Sequence, residues 1–448
     1  MGKKRISRRT FVRDTTAAAA FTIVPRHVLG RGLVAPSDKL SLAAIGCGGK
    51  GRSDIEGVAA TENIYALCDV DSSIALDAFQ KYAKAKRFKD YREMLDKEGK
   101  NIDAVTISVP DHSHAAAGTL AMKAGKHAFI QKPLARTLGE VRALEQAAKK
   151  YKVATQMGNQ GHAREGTRVI RELVEAGAIG TVKEVRFWTN RPWWPQGIDR
   201  PLEEFYVPAT LDWNLWLGPA LERPYNPAYA PFKWRGWWDF GTGTLGDMAC
   251  HIMDAAFWTL NLGFPARVEP ESLPLFKETA PAGSRITWSF PAKGTRPELK
   301  VVWSDNSLYP ARPAEVGDDA AWPPDTGGGQ LWIGTDGRLV AGTYGDDPTL
   351  LDPARQADVV AHPPAQKYPR SQGVYAEWIA ACKGGPPANS AFDTYSGPFT
   401  EMVMLGCLAV RMGRALEVNP QTGQITNVQV PAEYIQPAYR PGWSLAIV

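Results

Sequence analysis

The sequence predicts an α/β protein in two parts, a doubly wound parallel sheet followed by an α+β domain on an open, mostly antiparallel sheet. Three observations point there. As far as about residue 158, short apolar runs alternate with amphipathic stretches of helix length. The first of those runs feeds directly into a Gly-rich turn. From Val182 onward, apolar residues recur at every second position over longer stretches, as in strands with one buried face.

A chain of 448 residues exceeds one ordinary core, which predicts more than one domain. The expected divisions are 1–38 for a signal and linker, 39–158 for a nucleotide-binding domain and 159–448 for a domain of substrate binding and oligomerisation. In the first domain, the apolar run from Ser41 ends at Gly46, and Gly46-Cys47-Gly48-Gly49-Lys50-Gly51 gives the G-x-G-x-x-G spacing. Gly46 suits a tight turn, Gly48 lets the backbone approach a pyrophosphate, and Gly51 lets the next helix pack closely. The N–H groups and dipole of that helix favour an anion. The strand Ile64 to Cys68 stops at Asp69, placed to accept hydrogen bonds from a ribose; its carboxylate favours NAD by repelling a 2′-phosphate.

Helices follow near Ser72 to Lys86 and Tyr91 to Lys97, then a strand from Ile102 to Ser108. Pro110-Asp111-His112-Ser113 begins a helix that runs to Ala124. The strand His127 to Ile130 ends on Gln131-Lys132-Pro133-Leu134; the helix Leu138 to Tyr151 and strand Val153 to Met157 come next. The second part opens with a helix near Arg164 to Glu175. Strands are expected at Val182 to Asn190, Arg285 to Phe290 and Leu299 to Ser304, and the Pro-, Gly- and Asp-rich residues 305–330 form a long loop.

Ser7-Arg8-Arg9-Thr10-Phe11-Val12-Arg13 follows the twin-arginine export pattern, and the apolar Thr15 to Val24 is too short to span a bilayer. A periplasmic or otherwise exported protein is expected, its mature start between about residues 28 and 40. The formal charge of +5 belongs largely to this segment. Residues 1–35 hold eight Lys/Arg and one Asp, leaving 44 basic against 46 acidic residues, so no affinity for nucleic acid or a membrane surface follows. Cys47, Cys68, Cys250, Cys382 and Cys407 form neither a metal pattern nor a disulfide framework, and mostly lie in apolar runs that predict buried thiols.

Taken together, GCGGKG, CDVD, IDAVTISVPDHSHAAAGTLAMKAGKHAFIQKPL and GTGTLGDMACHIMD resemble the glucose-fructose oxidoreductase, inositol dehydrogenase and MocA (Gfo/Idh/MocA) family over roughly residues 40–435. The resemblance implies an N-terminal Rossmann domain holding a nicotinamide cofactor, NAD, and a C-terminal α/β domain whose open sheet often forms subunit interfaces, hence a homodimer or homotetramer. It places Lys132 in the family's EKP motif, beside the reacting hydroxyl, where a cation stabilises developing alkoxide. Gln131 departs from the usual Glu and removes a negative charge there. Asp247 and His251 match a D-x-x-x-H element; four residues apart, they share a helix face. His251 is the expected acid/base and Asp247 its orienting partner, without a third group to make a metal site. Pro110 and His114 are expected beside the cofactor, and Asn159, Gln160 and His162 at the substrate, since loops after parallel strands face the ligand.

Eight of the 15 tryptophans fall between residues 186 and 240, interleaved with amides and arginines. Aromatic faces pack on sugar C–H surfaces, which favours a carbohydrate ligand; at least half of these rings should nonetheless be core or interface. Tyr225, Tyr229, Arg235 and Trp237 are the expected substrate contacts. The resulting expectation is hydride transfer between a sugar carbinol and NAD. The alternatives are a glycosidase or lyase that oxidises its sugar transiently, as one related branch does, and a catalytically silent sugar-binding protein.

Overall fold

Four of the six short strands of the first sheet are buried almost throughout on both faces, which Ala-, Val- and Ile-rich sequences allow, while the two at one edge are partly open. In a computed structural model that describes residues 38–447, the six are β1 (Ser41–Ile45), β2 (Asn63–Cys68), β3 (Lys86–Phe88), β4 (Ala104–Ile107), β5 (His127–Ile130) and β6 (Thr155–Met157). They are parallel, in the order β3-β2-β1-β4-β5-β6. Chain direction across the sheet reverses between β1 and β4, and ligands of such sheets bind at the carboxyl ends of the strands flanking that point. The helix Leu138–Tyr151 starts on Thr137, whose hydroxyl accepts from Glu140 N, a T-x-x-E start that the sequence spells out.

The second sheet has eight strands: β7 (Val182–Thr189), β8 (Arg267–Ser272), β9 (Ser284–Phe290), β10 (Leu299–Ser304), β11 (Gly328–Gly334), β12 (Arg338–Gly342), β13 (Thr349–Leu350) and β14 (Leu416–Glu417). Their order is β13-β12-β11-β7-β10-β9-β8-β14, antiparallel except where β10 runs parallel to β7. The inward residues of β9, Ile286, Trp288 and Phe290, meet the apolar helix Gly397–Met412, and Trp288 Nε1 donates to Met402 O at 3.1 Å.

The expected helix over residues 72–86 shrinks to Leu76–Lys81, because the chain turns into the edge strand β3, whose Lys, Arg and Phe carry no buried face. The loop expected over 305–330 ends earlier, at β11. The chain after residue 158 also does not stay with the second sheet. Helix Val374–Cys382 returns to the first, where Val374, Trp378 and Ile379 pack with Leu42, Val58, Ala104 and Phe129. The five thiols are free, four buried and Cys382 half-buried, and burial pushes those of Cys47 and Cys68 up. Among the described residues no helix is long and apolar enough to cross a membrane. The twin-arginine segment lies outside the described residues.

Candidate active site

The Gly-rich turn follows β1 at the reversal point. Gly46 has φ +86° and donates its N–H to Cys68 O at 2.8 Å; a Cβ there would lie 2.3 Å from Ser108 O. A Cβ on Gly51 would lie 2.2 Å from Gly46 O, so the helix can approach the turn only through glycine. At Gly48 a Cβ would lie 1.8 Å from Ile74 Cγ2, so beside that side chain only glycine is accommodated. Gly49 has open space around it and precedes helix Lys50–Ala59, which has no side-chain cap and no acid in its first turn; Gly51 N donates to Gly48 O at 2.8 Å, and the positive end of the helix dipole meets no acidic side chain of that turn. Asp69 closes the other side. Its oxygens accept from Cys47 N at 2.7 Å and Asp71 N at 2.9 Å; burial, with Asp71 nearby, pushes its carboxyl up. Lone pairs remain for ribose hydroxyls, and this cradle fits a dinucleotide.

At the far end of the crevice, Lys132 Nζ donates to Asp247 O at 2.7 Å and to Asp247 Oδ1 at 2.9 Å, and Arg235 Nε donates to the same Oδ1 at 3.2 Å. Burial alone would raise the Asp247 carboxyl; Lys132 and Arg235 hold it well below the usual carboxylate range. One turn along helix Gly243–Ile252, His251 is 7% exposed and its Nδ1 is buried without a hydrogen-bond partner. Burial, then Lys132, pushes its pKa well below the ordinary imidazole value, which favours the neutral ring. The Tyr344 ring meets it edge to face at 4.9 Å. Asp111 also belongs here. It accepts from Thr242 Oγ1 at 3.0 Å, and burial, opposed by Lys132, pushes its carboxyl up to about 7. Sequence reasoning read Asp111 only as a helix start; an acid directly after Val109-Pro110, four residues past the end of β4, was the signal available.

Lys132, Asp247, His251 and Arg235 are therefore brought together. Gln131 lies beneath them, buried, with Nε2 on Asp54. Pro110 sits at the start of helix Asp111–Lys123, beside the crevice. His114 is placed there too, but both its nitrogens face backbone carbonyls, Pro133 O and Val109 O, each at 2.9 Å. It braces two strand-end turns and presents no free nitrogen.

Other expected contacts are not brought to the cleft. Asn159 is fully buried, its amide donating to Asp254 Oδ1 at 2.9 Å and accepting from Ser390 Oγ at 2.7 Å, and His162 Nδ1 meets Asp254 Oδ2 at 2.9 Å. Gln160 remains partly exposed. Tyr229 and Trp237 pack edge to face at 4.9 Å in a small core with Leu211, Trp216, Trp234 and Phe240, where Trp237 Nε1 donates to Ala228 O. Tyr225 stands edge-on to Trp213 at 5.3 Å on the border of that core. Their aromatic faces are spent on each other. Six of the eight tryptophans in this segment are buried; Trp193 alone is largely exposed, under the Arg191 guanidinium at 3.8 Å.

A parallel sheet with a Gly-rich turn at its reversal point and a buried Lys–Asp–His cluster farther along the crevice defines the class as a Rossmann-fold, dinucleotide-binding protein. Residues 40–159 match the GFO/IDH/MocA oxidoreductase family's NAD-binding Rossmann fold, and residues 166–294 match its C-terminal alpha/beta domain; the chain belongs to that family. It is 31% identical over 179 residues to an alpha-N-acetylgalactosaminidase of Shewanella oneidensis, covering 36% of this chain and 38% of that protein. It is 25% identical over 191 residues to a levoglucosan dehydrogenase of Pseudarthrobacter phenanthrenivorans, covering 42% and 40%. The matched stretch thus spans about two fifths of either relative. The WlbA dehydrogenase of Bordetella pertussis, solved with NADH and UDP-GlcNAcA, shares the fold at a TM-score of 0.59, with 16% identity over 85% of this chain and 99% of that one.

Proposed function

We propose that this chain is an exported NAD-dependent oxidoreductase acting on a CH–OH group of a sugar or sugar derivative, with its cofactor held through turnover. The observation that carries the reading is the buried, unpaired His251 Nδ1 one helical turn from the Lys132–Asp247 pair. Bound NAD supplies a hydride acceptor and donor, and the residues do the rest. Gly46 to Gly51 and Asp69 seat the dinucleotide, Lys132 stabilises charge on the substrate oxygen, and neutral His251 takes the hydroxyl proton. Asp247 keeps Lys132 aimed, and Arg235, held on Asp247 Oδ1, is the remaining candidate from the Trp-rich segment for contact with substrate hydroxyls. Homodimeric or homotetrameric assembly through the open sheet belongs to the same proposal.

Export bears on the cofactor. Outside the cytoplasm there is no pool of NAD to exchange with, so the nucleotide must be regenerated in place. Protein purified without added nucleotide should therefore carry NAD or NADH, detected by mass measurement of a denatured sample. A reactive sugar should change absorbance near about 340 nm by less than one equivalent per site. Empty protein that turns over only with added free NAD would overturn the held-cofactor reading. The similarity to the alpha-N-acetylgalactosaminidase supports a second reading, a glycosidase that oxidises its sugar only transiently. Release of a free sugar from a glycoside without net nucleotide reduction, with solvent deuterium entering the carbon next to the oxidised one, would select it.

A further inference from the structure

Asp54 lies on the helix that follows the Gly-rich turn, fully buried, and collects donors from three distant segments. Ser108 Oγ reaches Oδ2 at 2.6 Å and Tyr375 OH reaches Oδ1 at 2.7 Å; Lys50, one turn back, is paired with Oδ1. Gln131 Nε2 sits 2.9 Å from Oδ2 and 3.1 Å from Oδ1. A carboxylate only accepts, so the amide can face it only with its nitrogen, and Gln131 Oε1 must point away. Among the described residues none donates to that Oε1. The amide lies flat against Gly158, where a Cβ would stand 2.5 to 2.8 Å from Nε2, Cδ and Oε1, so only glycine at 158 leaves it this place; what fixes which way it faces is the Asp54 carboxylate.

We propose that Asp54 is a positioning residue of the cofactor site, supplying from the first helix the negative charge that Gln131 lacks and locking the Gln131 amide with Oε1 presented as an acceptor toward the bound dinucleotide. This rests on the NAD-binding reading. Its consequence runs against the family pattern. Restoring Glu at 131 would place a second carboxylate against Asp54; like charges at that distance force one to hold a proton, and the site becomes pH-sensitive.

The test measures NADH binding by calorimetry on protein stripped of nucleotide, from pH 6 to 9, with thermal melts as a control for folding. Gln131→Glu should bind about tenfold more weakly at pH 9 and recover as pH falls, the scale of a lost charged hydrogen bond. Asp54→Asn should weaken binding several-fold at every pH, because an amide facing an amide no longer dictates which way Gln131 turns. The double variant Asp54→Asn/Gln131→Glu exchanges the two groups and should return to within about threefold of the native protein, with a flat pH profile. A double variant no better than Asp54→Asn, or a Gln131→Glu variant with native affinity at pH 9, would overturn the proposal. If Gln131→Glu does not fold, the comparison of the double variant with Asp54→Asn decides alone. Native protein that binds no NADH would instead refute the cofactor reading.

Discussion

Two aspartate clusters on one helical run, at Asp247 and Asp254, use the same side-chain chemistry to opposite ends. Around Asp254, Asn159, His162 and Tyr395 OH each contribute a contact at 2.9 Å, and the group is closed. Around Asp247, Lys132 and Arg235 satisfy the carboxylate, but His251 Nδ1 four residues on is buried and unpaired. A buried polar atom without a partner costs free energy, and stability alone gives no reason to keep one. The difference is that the closed cluster holds helices together, while the open one leaves a ring nitrogen without a protein partner beside the Lys132–Asp247 pair, which is what the proposed proton transfer would use.

The sharpest way to break this comparison is turnover. Lys132→Ala and His251→Ala should each lower kcat on an identified sugar by at least about a hundredfold, with melting behaviour and nucleotide occupancy nearly unchanged; near-native turnover in both would put the reaction elsewhere. Asp254→Ala should show the reverse, losing roughly 3 kcal/mol of stability in urea denaturation because Asn159, His162 and Tyr395 are left buried without their acceptor, while folded protein keeps its activity. At the other end of the crevice, Asp69→Ala should weaken NAD by about tenfold and relax rejection of NADP, read by titration of both nucleotides; a native preference for NADP would sink the ribose assignment.

The smallest effect expected is a pH slope. Asp111, pushed up to about 7, holds a proton in the folded chain that an unfolded one, with the ordinary value of about 3.9, has lost. Between those values the folded state binds more protons, so this group's contribution to stability falls as pH rises from about 4 to 7. His251 works with the opposite sign: the unfolded ring charges below about 6.5 and the folded one stays neutral, so stability is lost as pH falls through that value. Urea midpoints at pH 5 and 7.5 should show Asp111→Asn removing the first slope and His251→Ala the second.

Much of this was legible beforehand, for identifiable reasons. The strand His127–Ile130 and helix Leu138–Tyr151 begin and end where their periodicity says. The i, i+4 spacing put Asp247 and His251 on one helix face because a helix fixes that relation locally. Tyr229 and Trp237 were misread since an aromatic-rich stretch looks the same whether its rings face a sugar or one another. Asn159 and His162 failed for a related reason: position after a strand says that a residue can face the crevice, not that Asp254 already holds it. Asp54 was invisible, because its meaning comes from Ser108, Gln131 and Tyr375, the last of them 321 residues away.

Tyr375 belongs to the helix Val374–Cys382 that returns to the first sheet, and this return sets the order in which the molecule can be made. Synthesis runs from the N-terminus, and the nucleotide-binding half has all six strands once residue 157 has been added. Yet Leu42, Val58, Ala104 and Phe129 are then still missing the apolar cover that Val374, Trp378 and Ile379 provide. A fragment ending at residue 158 would leave that face wet, and a nascent chain keeps it open until residue 382 has emerged. The second sheet, all but its last strand β14, is complete by then. The nucleotide half is thus the first part begun and among the last whose apolar surface is fully covered.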